Sequence, residues 1–181
     1  MQGPTHVLVG VLIERTFNGV RQNWLRVPLI AVTALFMHSV FDRIARLTYH
    51  PPEADFHSVF WISYHFVVLI AFIFSLYYFW KPYKLGIIFS VLPDFDWVII
   101  HGKRIMGIDS DFYNQPWMHK SIHFLTDRIP PFSWLQHLPE LTPFHWAALV
   151  EVLIVFSLFS LILYSPFSGN ELEEEAELED I

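Results

Sequence analysis

Histidine and aspartate residues occur at ligand-like spacing in a chain that is otherwise apolar. Two pairs are four residues apart, His38 with Asp42 and His119 with His123. On a helix this spacing places both side chains of a pair on one face, about 6 Å apart at Cβ. One metal ion, or two adjacent ions, can bind across such a pair. His6, in the stretch "PTHVLVG", is a further imidazole near the start of the chain.

Two carboxylates, Asp94 and Asp96, interrupt the apolar stretch from Leu85 to Ile100 directly after Pro93. An ionised aspartate at bilayer depth costs about 2.5–3.5 kcal/mol on insertion scales, and less near the interface. Such groups need partners, and a divalent cation offsets their desolvation. Proline removes one helical hydrogen bond, so a local distortion can aim both carboxylates inward.

The candidate metal ligands are therefore imidazoles and carboxylates: His6, His38, Asp42, Asp94, Asp96, His119 and His123. The chain has no cysteine, and this donor set suits zinc, manganese or iron more than copper(I), with zinc or manganese expected first. An ion with an open position lowers the pKa of the water it binds toward about 7. A carboxylate outside the ligand set, for which we favour Asp96, would then act as general base.

Basic residues follow the same motifs. Arg43 and Arg46, together with Lys103 and Arg104, are candidates for holding phosphate oxygens. An equally good interpretation is that they anchor the helices at the membrane interface.

The composition indicates a membrane protein of one domain. The 181 residues are 54% hydrophobic and 16% charged, against about 25% charged in a soluble domain. Seven of the 18 acidic residues lie in 171–181, and the rest of the chain balances 11 acidic with 11 basic residues. Without a basic field, nucleic-acid binding is not expected. We predict a membrane-embedded domain over 1–165 and an acidic, disordered tail over 166–181.

Apolar runs and helix-breaking residues predict an all-α, polytopic membrane bundle. About four to five membrane helices are expected, over roughly 4–18, 27–49, 56–81, 84–101 and 142–165, with a short helix at 116–128 inside the polar segment 102–142. Asp55 and Thr142 are the expected N-caps of the third and fifth helices. Alternating passage through the membrane brings the start of the first helix, the ends of the second and fourth, and the segment 102–142 to one face. All seven candidate ligands lie in these parts.

The same residues carry a family resemblance. Thr5-His6 with Gly10, the motif "LPDFD" from Leu92 to Asp96, "HSVFD" from His38 to Asp42, and "HKSIH" from His119 to His123 resemble motifs of predicted membrane-bound, metal-dependent hydrolases. Some members of that family are described as LexA-binding, inner-membrane-associated hydrolases. The histidine pair is one residue closer here than in the family, and Trp97 stands where a histidine often follows. The resemblance implies a metal-dependent hydrolase.

These observations lead to an expected function. We expect a protein integral to the inner or plasma membrane that hydrolyses a phosphoester or related ester, lipid-like or small, in contact with membrane lipids. No protein partner is indicated. The alternative is a non-enzymatic membrane protein, either a metal or proton transporter or a small scaffold. A transporter needs a polar path to the opposite face, for which His65, Ser63 and Glu151 are the few candidates.

Overall fold

The computed structural model describes residues 3–51, 55–108, 114–130 and 132–164, and within these ranges every regular element is helical. The all-α fold class predicted from the sequence is therefore confirmed. The predicted tail over 166–181 lies outside the described residues. The helices are α1 (Gly3–Thr16), α2 (Asn23–Ile44), α3 (Val59–Phe79), α4 (Lys84–Val91), α5 (Phe95–Ile105), α6 (Trp117–Thr126) and α7 (Ala148–Tyr164).

Helix α1 is the centre of the bundle. It packs against α2, α3, α4 and α7, and its residues from Pro4 to Val11 are buried. Val7 and Val11 are fully enclosed, together with Ile30 of α2 and Ile87 of α4. With 14 residues α1 is too short to cross a hydrocarbon core of about 30 Å. It serves as an inner helix around which the longer helices pack.

A close helix crossing fixes α1 against α4. Gly10 and Gly86 face each other so closely that a Cβ on either one would overlap the backbone carbonyl group of the other. Only glycine permits this approach, because any larger residue would force the two backbones apart. This contact fixes the position of α4 along α1. It thereby places the turn that follows α4 beside the start of α1.

Within the described residues, four helical segments are long and apolar enough to span a membrane: Asn23–Leu47, Val59–Phe79, Lys84–Ile105 and His145–Tyr164. Many of their large apolar side chains face outward, for example Ile73 of α3 at 56% exposure and Phe156 of α7 at 67%. A soluble protein rarely exposes apolar surface on this scale, whereas a lipid-facing helix does. Membrane association predicted from composition agrees with this surface.

The third of these segments, Lys84–Ile105, is one continuous helical segment with one distortion. A 3₁₀ turn over Leu92–Asp94 joins α4 to α5, at the position of Pro93. Proline cannot donate the backbone hydrogen bond that an α-helix needs there, and the tighter 3₁₀ turn absorbs the defect. The segment continues to Ile105, four residues beyond the predicted end.

Two predicted helix caps are wrong. Ser58, not Asp55, caps α3 by accepting a hydrogen bond from the backbone nitrogen of Trp61 at 3.2 Å. Asp55 instead accepts from the amide of His57 within the preceding turn. Thr142 lies in a turn and donates its hydroxyl to Glu140, and the last span begins at the 3₁₀ turn His145–Ala147. In both places the polar side chain forms a hydrogen bond within a turn that precedes the helix, so it does not cap the helix.

The short helix predicted inside 102–142 is present as α6. It packs against α2 and also touches α5 and the 3₁₀ turn at Pro93. This position returns the polar segment to the bundle and places His119 and His123 beside the end of α2.

Candidate metal centre

Five separate pieces of the chain supply the polar side chains at one end of the bundle. Helix α1 carries His6, α2 carries His38 and Asp42, the 3₁₀ turn carries Asp94, the first turn of α5 carries Asp96, and α6 carries His119 and His123. The structure brings all seven predicted ligand residues into one cluster. The following contacts show which atoms face one another.

Asp42 lies at the centre of the cluster, with its side chain 15% exposed. Its Oδ1 is 3.3 Å from Nε2 of His6. Its Oδ2 is 3.2 Å from Nε2 of His38, 3.5 Å from Nε2 of His119 and 3.6 Å from Nε2 of His123. One carboxylate therefore faces the same ring nitrogen of four histidines.

Asp94 closes the cluster from the 3₁₀ turn. Its Oδ1 lies 3.9 Å from Nε2 of His38 and 3.7 Å from Nε2 of His119. Two three-residue donor groups result, His6–His38–Asp42 and His38–Asp94–His119, and within each the donor atoms lie within 4.8 Å of one another. Ligand atoms around a tetrahedral zinc ion are about 3.4 Å apart, given bonds of about 2.0–2.1 Å, so both groups are close to coordinating distance.

The far sides of two imidazoles are tied to acceptors. Nδ1 of His38 donates to the backbone carbonyl of Ser90 at 2.7 Å. Nδ1 of His119 donates to Oδ2 of Asp96 at 3.1 Å. A carbonyl and a carboxylate can only accept, so both rings carry their proton on Nδ1 and present an unprotonated Nε2 in the neutral form. This is the arrangement by which outer residues orient metal-binding histidines.

The two unprotonated nitrogens face each other. Nε2 of His38 and Nε2 of His119 are 3.3 Å apart, and both side chains are at most 6% exposed. Two lone pairs at this distance repel unless a proton or a cation lies between them. The separation is close to the ligand–ligand distance around a tetrahedral ion.

His6 is enclosed without hydrogen-bond partners for its ring. The residue is fully buried, and within the described part of the chain neither ring nitrogen forms a hydrogen bond. Its ring stacks on that of His38, with centroids 4.1 Å apart, and its backbone carbonyl accepts from Ser90 Oγ at 2.7 Å. Buried polar groups normally have partners. An imidazole held rigidly with Nε2 toward Asp42 fits a ligand position.

Asp96 occupies a different position from the other carboxylates. It is fully buried, and its Oδ2 accepts hydrogen bonds from both the backbone nitrogen of His119, at 2.9 Å, and the Nδ1 atom of the same residue. It therefore lies behind His119, on the side of the ring away from Nε2. These contacts favour a supporting role over the ligand or general-base role that the sequence indicated.

Negative charge in the cluster influences His119, which lies in α6 outside the four candidate spans. Burial lowers the pKa of His119, but the nearby carboxylates of Asp94, Asp42 and Asp96 outweigh burial and raise that pKa above its ordinary value. The cluster thus favours added positive charge. A bound divalent cation supplies such charge without protonating the ring.

The predicted phosphate-binding arginines differ in position. Arg43 lines the same cavity as Asp42 and forms a two-pronged ion pair with Asp127, at 3.1 Å from Nε and 2.6 Å from Nη2. Arg46 pairs with Glu140 at 3.2 Å beside a smaller neighbouring cavity. Lys103 and Arg104 line a separate depression near the end of α5. Arg43 is the cation of this set that faces the cluster's own cavity.

A cavity of about 1050 Å³ opens beside the cluster, and Asp42, Asp94, His119 and His123 line it. It is also lined by His50, a loop residue that no pattern in the sequence connects with the cluster. Ser39 was missed as well: its Oγ is 2.9 Å from Nδ1 of His123. The only available signal for Ser39 was its place next to His38.

A comparison of the chain with protein-family models, with curated protein sequences and with solved structures found no match.

Proposed function

We propose that this protein is a metal-dependent hydrolase embedded in the inner or plasma membrane, acting on a phosphoester or related ester. The observation that carries the proposal is the 3.3 Å approach of Nε2 of His38 to Nε2 of His119, while each ring donates its Nδ1 proton elsewhere. The carboxylates of Asp42 and Asp94 point at the same two atoms.

A proton on one ring satisfies only some of these contacts. If His119 is protonated on Nε2, it can donate to one of the acceptors that face it, which are Nε2 of His38 and the oxygens of Asp42 and Asp94. A divalent cation attracts all of them at once and offsets the cost of burying carboxylates. The donor chemistry, imidazole with carboxylate and no thiolate, favours zinc or manganese.

The residues divide into ligands and supporting groups. His6, His38, Asp42, Asp94 and His119 are the proposed ligands, with His123 the sixth donor where a second ion is held. When bound, the metal supplies Lewis acidity and lowers the pKa of water. Asp96 orients His119, and Ser90 orients His38 through its carbonyl. Arg43, steadied by Asp127, is the group placed to attract an anionic substrate.

The position of the cluster supports catalysis over transport. The donors stand at one end of the bundle beside an open cavity, which gives a substrate access. In α7, Glu151 accepts a 2.6 Å hydrogen bond from Thr5 of α1 and so ties two helices together. A hydrolase needs a site that opens on one side, whereas a transporter needs a continuous polar path.

The test begins with metal analysis of the detergent-purified protein, followed by hydrolysis of chromogenic phosphate and carboxylate esters with zinc or manganese supplied. We expect about one or two ions per chain, and hydrolysis that a chelator abolishes and metal restores. Asp94→Asn should lose metal and activity while the protein stays folded. Asp127→Asn is the matched control, because it lies in the same cavity outside the donor groups and should retain metal.

A metal-free wild type whose thermal midpoint ignores chelator would overturn the metal centre. A metal-loaded protein that hydrolyses none of the esters would leave a binding or transport protein as the better description.

A further inference from the structure

A cleft between α5 and α6 leads from the protein surface to the candidate metal centre. Residues from both helices line it. On the α5 side these are Trp97, Val98 and His101, and on the α6 side they are Lys120, Phe124 and Pro116, which directly precedes α6. We call this opening the α5–α6 cleft. Its base is formed by Asp42, Asp94 and His119.

The walls of the α5–α6 cleft are apolar and open to the outside. Val98 is 63% exposed, Phe124 56% and Trp97 43%. Trp97 also connects wall and base, because its ring centroid lies 5.6 Å from that of His119. A polar substrate arriving from water does not require such a wall, whereas an alkyl chain gains about 0.8 kcal/mol for each methylene that it buries.

The α5 wall of the cleft belongs to a candidate membrane span. Trp97 and Val98 lie within Lys84–Ile105, which is long and apolar enough to cross a membrane. A lipid that contacts this span therefore has its alkyl chain beside the apolar wall of the cleft.

The charges beside the α5–α6 cleft favour an anionic head group. Lys120 is exposed on α6 and bonds to the side-chain oxygen of Gln115, and Arg43 stands at the base. The carboxylates of Asp42 and Asp94 face the imidazole nitrogens, where a cation would neutralise them. A negatively charged oxygen ligand would then meet the bound cation, with Lys120 and Arg43 beside it.

We infer that the substrate is an anionic amphiphile, a phosphate ester of a long-chain alcohol that resides in the bilayer. This inference rests on the proposed function. The phosphate lies against Asp42, Asp94 and His119, and the chain leaves along Val98 and Phe124. Hydrolysis breaks the ester P–O bond and joins the oxygen of water to phosphorus. The leaving alcohol takes up a proton and stays in the bilayer, and phosphate departs to water.

The absence of cysteine makes a site-specific reporter simple. Val98→Cys, labelled with an environment-sensitive bimane, reports from the cleft wall. Val152→Cys is the matched control, because Val152 is 59% exposed on α7 and is not among the cavity's lining residues. Both labelled proteins are placed in phosphatidylcholine nanodiscs and titrated with decylphosphonate, which cannot be hydrolysed, with zinc or with chelator.

We expect the bimane emission at position 98 to change saturably with decylphosphonate. Chelator should weaken the apparent affinity for decylphosphonate at least tenfold, and inorganic phosphate should displace it. Position 152 should not respond, and decyltrimethylammonium should not compete. Equal responses at 98 and 152, or responses indifferent to metal, would overturn the inference. If the Val98→Cys protein does not fold, Phe124→Cys reports from the opposite wall.

A separate measurement of phosphate release keeps the two proposals apart. Binding of decylphosphonate at position 98 without hydrolysis of decyl phosphate supports the cleft and contradicts the hydrolase. Hydrolysis of a water-soluble phosphoester without decylphosphonate binding at position 98 contradicts the cleft and leaves the hydrolase standing.

Discussion

The two ends of α1 both bury charged or polar side chains, but they satisfy them differently. His6 stands near the first end, and Glu14 stands eight residues later, about 12 Å along the helix. Both residues are nearly inaccessible, at 0% and 4% exposure. Their surroundings differ in how donors and acceptors are arranged.

At the Glu14 end the protein itself supplies the complementary groups. Oε2 of Glu14 accepts the backbone N–H of Gly86 at 2.7 Å, in the first turn of α4, where the helix has no acceptor of its own. Oε1 lies 3.5 Å from Arg26. Arg26 also donates to Asn18 at 2.6 Å, and Arg15 donates to the carbonyl of Ile162. Donors and acceptors alternate here.

At the His6 end, acceptors face acceptors. The unprotonated nitrogens of His38 and His119 and the oxygens of Asp42 and Asp94 converge, and the protons of these rings are directed outward to Ser90 and Asp96. The Glu14 end pairs acceptors with donors of the same chain. The His6 end gathers imidazole and carboxylate donor atoms within coordinating distance of one another, and the proposed metal centre rests on that difference.

The largest expected effect comes from neutralising the central carboxylate. Asp42→Asn should reduce zinc or manganese affinity by more than the roughly 10–100-fold typical of outer residues, because Asp42 faces four histidines directly. The stabilisation that metal gives to the folded protein should vanish with it. Thermal midpoints with and without chelator measure this.

Glu14→Gln is the matched change at the other end of α1. It removes a buried charge that has protein partners, so it should lower the midpoint equally with and without chelator. A Glu14→Gln protein that loses its response to chelator, or an Asp42→Asn protein that keeps it, would erase the distinction between the two ends.

Substitution of Asp96 tests whether this residue is a ligand of the proposed metal centre or a supporting residue behind His119. Asp96→Asn keeps an acceptor for His119 but loses the negative charge that supports the ring, so we expect metal affinity to fall by roughly 10–100-fold without being abolished. Isothermal titration with zinc against a competing chelator gives the value. Complete loss of metal, equal to that of Asp42→Asn, would make Asp96 a direct ligand.

The last expected effect concerns stability at the Glu14 end. Gly86→Ala places a methyl group against the backbone of Gly10 and should destabilise the protein by about 1–3 kcal/mol, as overpacking does. Gly102→Ala in α5 is the control, because no atom of the described residues lies within 4 Å of its added Cβ. It should be neutral or stabilise the helix by up to about 1 kcal/mol. Denaturation in mixed micelles compares them, and equal losses would show that the crossing is not tight.

The sequence by itself determined the helices and the residues that could act as ligands. Long apolar runs form helices in a bilayer, because a helix satisfies its backbone hydrogen bonds within one segment where no water is present. The i, i+4 spacing of His38 with Asp42 and of His119 with His123 follows from helical geometry alone. Alternating passage of helices also predicted that Asp94 would meet them at one end. It placed His6 there by taking the first helix as a membrane span, but α1 has only 14 residues and is an inner helix of the bundle.

Only the tertiary structure decided which atoms face the centre. Asp94 and Asp96 are one residue apart and chemically identical, yet Asp94 faces the imidazole Nε2 atoms and Asp96 lies behind His119. That division depends on the 3₁₀ turn at Pro93 and on where α6 packs, which no local pattern specifies. The loop residue His50 and the cleft between α5 and α6 arise in the same way, because side-chain direction and cavity shape are set by contacts between distant segments.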